Sequence, residues 1–326
     1  MKKIALFLVL AVLCASEVDA QKKPRRRLSY SELFAEIQKH PDSTYRLENA
    51  EIYYNHQTDS LRFGFWDGSQ EYDRANIPMI IVNKKIDFNE VYWEKIPFSA
   101  LEIKIRKVKF LKEVSFNFNN KESLVHNQRK IRITSHIKQI SFYVPSIFVR
   151  FPGLEKCEFL KEINISENEE EVASPQENKN IFELNIFLEE CRFKRFSFSQ
   201  KSEQLKKYTL NFLECSADEA SIDSRYNLFI ANSEIKDLQV KGTNVITIEN
   251  CVLNSTIEHS NNITIKNCML NFLTIERSNN ITIRKCTFGK LQQSNELNLN
   301  YCRLYIEDNK SEKIKIDSCL AVVQNV

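Results

Sequence analysis

Three carboxylates and one arginine lie close together in the stretch SADEASIDSR, residues 216 to 225. They are Asp218, Glu219, Asp223 and Arg225, residue types that general acid–base catalysis and calcium binding use. The acidic residues that follow are scattered, so these four are the candidates for a catalytic site if the protein is an enzyme. The alternative is a polar loop between two structural units without a chemical role, and the sequence favours the loop.

A second set of chemically interesting residues recurs at intervals of 16 to 18 positions. Its members are Cys215, Ser233, Cys251, Cys268, Cys286, Cys302 and Cys319. Strands one repeat apart would bring cysteine Cα atoms close enough for disulfides, which secreted chains often contain. Equivalent side chains point the same way, however, and Ser233 has no sulfur with which to form a bridge. We therefore favour a buried column of small, mostly reduced side chains, with disulfides as the alternative.

The sequence gives no indication of a metal or cofactor site. It contains no C-x-x-C pair, no Gly-rich phosphate loop, no nucleophile elbow and no zincin helix. The histidines, which show no ligand spacing, are His40, His56, His126, His136 and His259. We expect no bound metal and no cofactor.

The column of small residues belongs to a repeat that fills the last third of the chain. The first inward apolar residues of its units are Leu210, Leu228, Ile246, Ile263, Ile281, Leu297 and Ile314. Each unit holds two short apolar-alternating stretches, such as ITIKNC and FLTIE, and is too short for a strand and a helix. It therefore predicts one coil of a β-solenoid, whose strands pair with those of the coils before and after.

Alternation within each strand assigns side chains to the core or to the surface. Ile263 and Ile265 are predicted to point inward, and Thr264 and Lys266 outward. Stacking predicts one outward column of Thr247, Thr264, Thr282, Asn298 and Lys315, and another of Glu249, Lys266, Arg284, Asn300 and Asp317. We expect no outward column to place two carboxylates next to each other. The asparagine pairs at 261–262 and 279–280 should turn corners in a left-handed conformation.

The stretches NNITIKNC and NNITIRKC resemble those of the right-handed parallel β-helices of the pectin-lyase-like superfamily, over residues 208 to 322. The resemblance implies carbohydrate chemistry. Lyases on that fold use clustered Asp residues for Ca²⁺ with a basic residue as proton acceptor, and its hydrolases use paired carboxylates. Pentapeptide-type solenoids and leucine-rich repeats are the alternative folds, although the latter normally need at least 20 residues per repeat.

The remaining organisation follows from local patterns. Ser29 and Glu32 have capping-box spacing and Pro41 ends the element, which predicts a helix over residues 29–40. Residues 45–166 predict irregular coils made of many short strands, 167–180 an exposed acidic loop, and 181–326 regular coils. The predicted fold is thus all-β: a single domain over residues 29–326, a parallel β-helix with coils of about 17–18 residues and an N-terminal capping helix.

Residues 1–20 predict a cleaved secretory signal, with cleavage between Ala20 and Gln21. Its apolar run is too short to span a bilayer, and no later segment predicts a transmembrane helix. Residues 21–28 predict a solvated basic leader, with contact to a membrane surface or a polyanion as the alternative. A net charge of +3 without a charged tail gives no reason to expect a nucleic acid partner. We expect a secreted or periplasmic protein, and the composition suggests an AT-rich bacterial genome.

Two functional hypotheses follow. The favoured one is a non-enzymatic binding or structural protein of the cell envelope or exterior, with carbohydrate or another envelope protein as partner. The alternative is a polysaccharide-active enzyme, a lyase or a glycoside hydrolase. Oligomerisation through the C-terminal end is a further expectation, because CLAVVQNV contains no polar capping element. Early aromatics could fill the core, which we favour, or stack on sugars: Tyr53, Tyr54, Phe63, Phe65, Trp66, Tyr72, Tyr92 and Trp93.

Overall fold

The computed structural model describes residues 25–53, 78–95, 104–119, 124–134, 139–149, 151–168, 185–200, 209–288, 297–300, 303–307, 314–317 and 320–324. This part of the chain is all-β, with one helix, α1 (Tyr30–Lys39), and 27 strands. In chain order the strands are β1 (Arg26–Ser29), β2 (Thr44–Tyr53), β3 (Ile80–Val82), β4 (Lys85–Lys95), β5 (Lys104–Arg106), β6 (Val108–Phe110), β7 (Val114–Asn119), β8 (Leu124–Thr134), β9 (Gln139–Val149), β10 (Gly153–Glu155), β11 (Glu158–Asn168), β12 (Asn185–Glu189), β13 (Arg192–Gln200), β14 (Thr209–Leu213), β15 (Ser216–Asp223), β16 (Asn227–Ala231), β17 (Glu234–Lys241), β18 (Ile246–Glu249), β19 (Val252–Glu258), β20 (Asn261–Lys266), β21 (Met269–Glu276), β22 (Asn279–Arg284), β23 (Thr287–Phe288), β24 (Leu297–Asn300), β25 (Arg303–Glu307), β26 (Ile314–Asp317) and β27 (Leu320–Gln324).

Two sheets, in which most neighbouring strands are parallel, contain all 27 strands. We call them the short sheet and the long sheet. The short sheet has ten strands, in the order β5, β10, β12, β14, β16, β18, β20, β22, β25 and β27. The long sheet has 17 strands and includes the series β11, β13, β15, β17, β19 and β21. From β10 onward the chain alternates between the two sheets, except that β23 and β24 both pair with β21 in the long sheet. This arrangement is compatible with a β-solenoid.

The predicted repeat agrees with the strand register as far as Ile281. Leu210 pairs with Leu228, Leu228 with Ile246, Ile246 with Ile263, and Ile263 with Ile281, all in the short sheet. Ile263 and Ile265 are fully buried, and Thr264 and Lys266 are partly exposed. The alternating pattern therefore separates core from surface as the sequence predicts.

The last two predicted repeat starts are wrong. Ile281 pairs with Leu304, 23 positions further along the chain, and not with Leu297. Leu297 pairs instead with Leu273 in the long sheet, and Ile314 pairs with Leu297 there. The unit after Ile281 is longer than the units before it. The next alternating stretch, LNLN at Leu297–Asn300, therefore belongs to the long sheet and not to the short sheet.

The predicted outward columns change at the same point. Thr282 pairs with Tyr305 and Arg284 with Glu307. Asn298, Asn300, Lys315 and Asp317, the predicted continuations, lie in the long sheet after Thr274 and Glu276. Both stretches of a unit alternate in the same way, so composition alone does not assign a stretch to a sheet.

The early part of the chain departs from a simple succession of coils. β8 and β9 form an antiparallel hairpin, which joins β4 where Trp93 is opposite Val149. β5 lies in the short sheet and β6 in the long sheet, and only Lys107, with φ of 50°, separates them. Glu167 and Asn168, the first two residues of the predicted acidic loop over 167–180, belong to β11, and the other residues of that prediction lie outside the described residues.

The predicted helix and its capping box are present. Ser29 Oγ accepts a hydrogen bond from the Glu32 backbone N–H at 3.2 Å, and the Glu32 carboxylate accepts one from the Ser29 backbone N–H at 2.6 Å. Tyr30, Leu33, Phe34 and Ile37 form the buried face. No helix in the described part of the chain is long and apolar enough to cross a membrane.

Arg26 and Arg27, just before the helix, are part of the long sheet and do not belong to a solvated leader. β1 pairs in parallel with β2. Arg27 Nε lies 3.3 Å from Glu51 Oε2, and the Arg25 guanidinium lies 4.3 Å from the ring centre of Tyr92. Arg26 binds the Glu36 carboxylate. The prediction of a basic leader over 21–28 therefore fails from Arg25 onward.

Three of the eight early aromatics have described side chains. Trp93 and Tyr92 are buried, and Tyr53 is half-buried beneath the Arg27 guanidinium at 5.2 Å. The other five, Tyr54, Phe63, Phe65, Trp66 and Tyr72, lie outside the described residues. Burial is thus the outcome for two of the predicted set.

Replacing Ser29 with alanine is expected to lower the free energy of unfolding by about 1 kcal/mol, because the Glu32 backbone N–H loses the Ser29 Oγ acceptor. Urea unfolding followed by circular dichroism measures the change. The control is Ser43→Ala, at an exposed residue whose carbonyl, not its side chain, binds the Lys85 N–H. Equal stability of Ser29→Ala and wild type would contradict the prediction.

The Glu32 half of the box should depend on pH. The backbone N–H and the side chain of Ser29 bind the carboxylate and lower the pKa of Glu32 below its usual 4.5. A lowered folded-state pKa stabilises the protein above pH 4.5, and this contribution is lost as the pH falls through the folded-state pKa. The stability difference between wild type and Glu32→Gln should therefore be present at pH 7 and shrink progressively below pH 4.5. A difference independent of pH would show that the carboxylate charge is not involved.

Candidate functional site

The candidate catalytic residues lie on a strand and not on a loop. Asp218, Glu219 and Asp223 belong to β15 and are exposed on the outer face of the long sheet, whereas Ala217 and Ala220 of the same strand are buried. Arg225 follows the strand, and its backbone N–H donates to Gln200 Oε1 at 3.1 Å. The interpretation of this stretch as a loop between coils is therefore wrong, because Ala217 and Ala220 pack into the core and make the stretch part of the sheet.

Neighbouring strands provide cations for two of these carboxylates. Lys236 Nζ lies 2.7 Å from Asp218 Oδ1, and Arg195 Nε lies 3.0 Å from Glu219 Oε2. The hydrogen bond from Lys236 lowers the pKa of the Asp218 carboxyl. Glu219 and Asp223 are four positions apart, on the order of 13 Å along an extended strand, which exceeds the roughly 5–9.5 Å between paired glycosidase carboxyls. The structure does not bring the predicted set together as one site.

Adjacent carboxylates do occur in outward columns, contrary to expectation. Glu258 is the register partner of Glu276, and Glu219 is the register partner of Asp237. Both pairs lie on the long sheet, in the second stretch of each unit. The similar sequences STIE (255–258) and LTIE (273–276) place Glu258 and Glu276 at equivalent positions. A comparison of the second stretches would therefore have predicted this pair.

The predicted column of small residues is present at one corner as far as Cys286. Cys215, Ser233, Cys251, Cys268 and Cys286 are each buried between a short-sheet strand and the long-sheet strand that follows. Cys302 and Cys319 lie outside the described residues. The strands before them, β24 and β26, belong to the long sheet, so their flanking strands do not continue the series. Cys157 and Cys191 extend the column at its other end, where LEKC and LEEC are equivalent to the later FLEC.

Hydrogen bonding explains why this position takes Cys or Ser. The Sγ or Oγ atom of all seven described members donates to the carbonyl oxygen two residues earlier, at 2.8–3.4 Å. The preceding residue is left-handed in every case, with φ of 51–56°: Lys156, Glu190, Glu214, Asn232, Asn250, Asn267 and Lys285. A small donor that satisfies the carbonyl of a tight corner is a structural role. Lys and Glu share the turning that was predicted for Asn.

The opposite corner has its own polar column. Thr243, Ser260 and Ser278 are fully buried, and the Oγ atoms of both serines donate to the carbonyl two residues earlier at 2.9 Å. Outside them, Asn280 Nδ2 donates to Asn262 Oδ1 at 3.1 Å, and both asparagines are left-handed, with φ of 54° and 49°. The predicted asparagine corners are thus present.

The six described cysteines are free and buried. Burial raises the pKa of the Cys191 thiol well above its usual value, and hydrogen bonds with Cys157 and Cys215 raise it further. Hydrogen bonds with Cys251 and Cys286 lower the pKa of the Cys268 thiol, but that thiol is buried. A reactive cysteine needs access to solvent as well as a lowered pKa. The six thiols lack that access and therefore have the character of core residues and not of nucleophiles.

Alkylation by iodoacetamide at pH 8 should label these six cysteines roughly a thousandfold or more slowly in the native protein than in urea, because exposure requires unfolding. They are Cys157, Cys191, Cys215, Cys251, Cys268 and Cys286. Peptide mapping by mass spectrometry identifies each site. Ser221→Cys, at an exposed position of β15, is the control and should react at once. Rapid native labelling of the six would contradict a buried column.

Within the described residues, no three His, Cys, Asp or Glu side chains are grouped so that they could hold a metal ion. Comparison of the chain with protein-family models, with curated proteins and with solved structures finds no match.

Proposed function

We propose that this protein is a secreted, non-enzymatic β-solenoid that binds a partner at the cell envelope or exterior. Its architecture would be a parallel β-helix with coils of 17–18 residues. Helix α1 and strand β1 would cap the first coil, and the C-terminal strands would provide a surface for oligomerisation. A cleaved signal ending at Ala20 would deliver it to the periplasm or the outside.

One observation supports the non-enzymatic role best. The carboxylates of the predicted site, Asp218 and Glu219, bind Lys236 and Arg195 of adjacent strands. Exposed ion pairs of this kind contribute little stability, roughly 0–1 kcal/mol each, but they favour the observed register between strands. Charges used in this way align neighbouring strands, and each of these two carboxylates already has a cation as its partner.

The test is incubation of the purified protein with a panel of neutral and anionic polysaccharides. We expect no new reducing ends and no ultraviolet absorbance from unsaturated products, with protein retained on at least one insoluble polymer. Turnover above that of a heat-denatured sample would overturn the non-enzymatic role. N-terminal sequencing of the exported protein should begin at Gln21.

A polysaccharide-active enzyme is the second candidate, and the adjacent Glu258 and Glu276 favour it. Partly exposed carboxylates on neighbouring strands, about 4.8 Å apart, are near the separation found in retaining glycosidases. If the panel shows turnover, Glu258→Gln and Glu276→Gln should each abolish it. The control is Glu219→Gln, whose carboxylate has Arg195 as a partner. Activity retained in both variants would remove this candidate.

A further inference from the structure

A line of six outward side chains on the short sheet carries no charge. Register pairs Phe187 with Asn211 and Asn211 with Phe229. The line continues through Thr247, Thr264 and Thr282. We call these six residues the short-sheet column: Phe187, Asn211, Phe229, Thr247, Thr264 and Thr282.

The column faces outward, as its neighbours show. Leu210 and Phe212 flank Asn211 and are fully buried, and Leu228 and Ile230 flank Phe229 and are buried as well. The two phenylalanines of the column are partly exposed, although most of the phenylalanines with described side chains are buried. Two outward phenylalanines on a polar sheet face serve no core.

Asn211 lies between the two rings and is held rigidly. Its Nδ2 atom donates to the carbonyl oxygens of Ile186 and Thr209, each at 3.2 Å. The amide is only 9% exposed. The amide is therefore a fixed polar group whose side-chain entropy is already lost before a ligand binds.

Charged side chains lie beside the threonines of the column and beside Phe187. Glu249 and Lys266 flank the threonines and bind each other at 3.2 Å. Glu189 follows Phe187 by two positions on the same strand and is partly exposed, whereas the neighbours of Phe229, Asn227 and Ala231, are uncharged. No cation is among these described neighbours of the phenylalanines, so an anionic ligand would gain no partner here, which selects against uronate polymers and nucleic acids.

Spacing matches a linear ligand that runs across the strands. Adjacent strands lie about 4.8 Å apart, so the two rings are separated by about 10 Å, with the threonines following at single-strand intervals. One strand spacing is close to the length of one sugar residue in an extended β-linked glycan. The two phenylalanines could then stack on the apolar faces of two alternate sugars, one ring on each. The threonine hydroxyls could bind sugar hydroxyls.

We propose that the short-sheet column binds an uncharged, extended β-linked polysaccharide lying along the axis of the sheets. This inference rests on the proposed binding function and assigns it a surface and a class of ligand. The long sheet, with its ion pairs, takes no part in the contact.

The experiment uses the full chain and three probes in calorimetric titrations: a β-1,4-linked glucose hexasaccharide, a β-1,4-linked N-acetylglucosamine hexasaccharide and a hexagalacturonate. We expect at least one neutral probe to bind and the anionic one not to bind. Phe187→Ser with Phe229→Ser should weaken binding at least about tenfold, because both stacking contacts are lost. Phe187→Tyr with Phe229→Tyr should restore affinity to within a few-fold of wild type.

Phe272→Ser is the matched control, because Phe272 is an outward, partly exposed phenylalanine on the long sheet. It should leave affinity unchanged, and circular dichroism should show that all variants are folded. Equal loss in the control and the double serine variant, or stronger binding of the anionic probe, would overturn the assignment. So would absence of binding to both neutral probes. New reducing ends would instead overturn the non-enzymatic function, whatever the variants show.

Discussion

Excision of residues 261–278 is expected to leave a folded protein that lacks one strand from each sheet. The cut removes β20 and β21 and joins Ser260 to Asn279, where Ser278 stands in the wild type. His259-Ser260 and Arg277-Ser278 both precede an NNIT stretch, so the junction reproduces a native one. Ile281 would then pair with Ile246, as Ile263 does now.

Excision of residues 261–269, half of the same unit, is expected to abolish folding. Phe272 and Thr274 would then fill the slots of Ile263 and Ile265, although both point outward in the native long sheet. Arg277 would fill the buried slot of Cys268. A slip that reverses the faces of a strand exposes its apolar residues, and a buried unpaired charge is strongly destabilising.

Urea unfolding, circular dichroism and limited proteolysis distinguish the two excisions. The full-unit variant should show β-sheet spectra and a cooperative transition at lower urea, because stability in stacked repeats is approximately a sum over units and their interfaces. The half-unit variant should show no cooperative transition and rapid proteolysis. If both variants unfold alike, the 18-residue unit is not a structural repeat.

The sequence predicted the face of each side chain better than it predicted the sheet of each strand. Period-two alternation reports burial, which is why Ile263 and Ile265 were assigned correctly. It is equally present in ITIR and LNLN, which belong to different sheets. Only the length of the connection separates them, and the longer unit after Ile281 changed the assignment of everything beyond it.

The candidate site shows the same limit. Glu258 and Glu276 lie in the second stretch of their units. The outward columns predicted from the first stretches therefore do not show that these two carboxylates are adjacent. The pairing of Asp218 with Lys236 follows from an 18-residue register and could have been predicted from the sequence. The hairpin of β8 and β9 could not have been predicted, because a local antiparallel pair and two stacked coils have the same alternating pattern.

Phe193→Ala is expected to lower the free energy of unfolding by about 3–5 kcal/mol, the range for truncation of a buried phenylalanine. Phe193 is 4% exposed and stacks on Phe159 at 5.3 Å between ring centres. It meets Phe196 and Phe212 edge-on at 5.3 and 6.2 Å. Rings on both sheets therefore lose contacts in this one substitution.

The space left by Phe193 cannot close easily, because its register partner in β15 is Ala217, itself a small buried residue. Two alanines would then stand side by side in one inward line, beneath rings held by their own neighbours, and a residual cavity adds to the lost transfer energy. Urea unfolding gives the change, and Phe272→Ala on the outer face is the control, expected to cost less than about 1 kcal/mol. Equal losses in the two variants would mean that the aromatic stack does not join the early strands to the repeats. In that case the regular units after β15 should unfold at the same urea concentration in Phe193→Ala as in wild type.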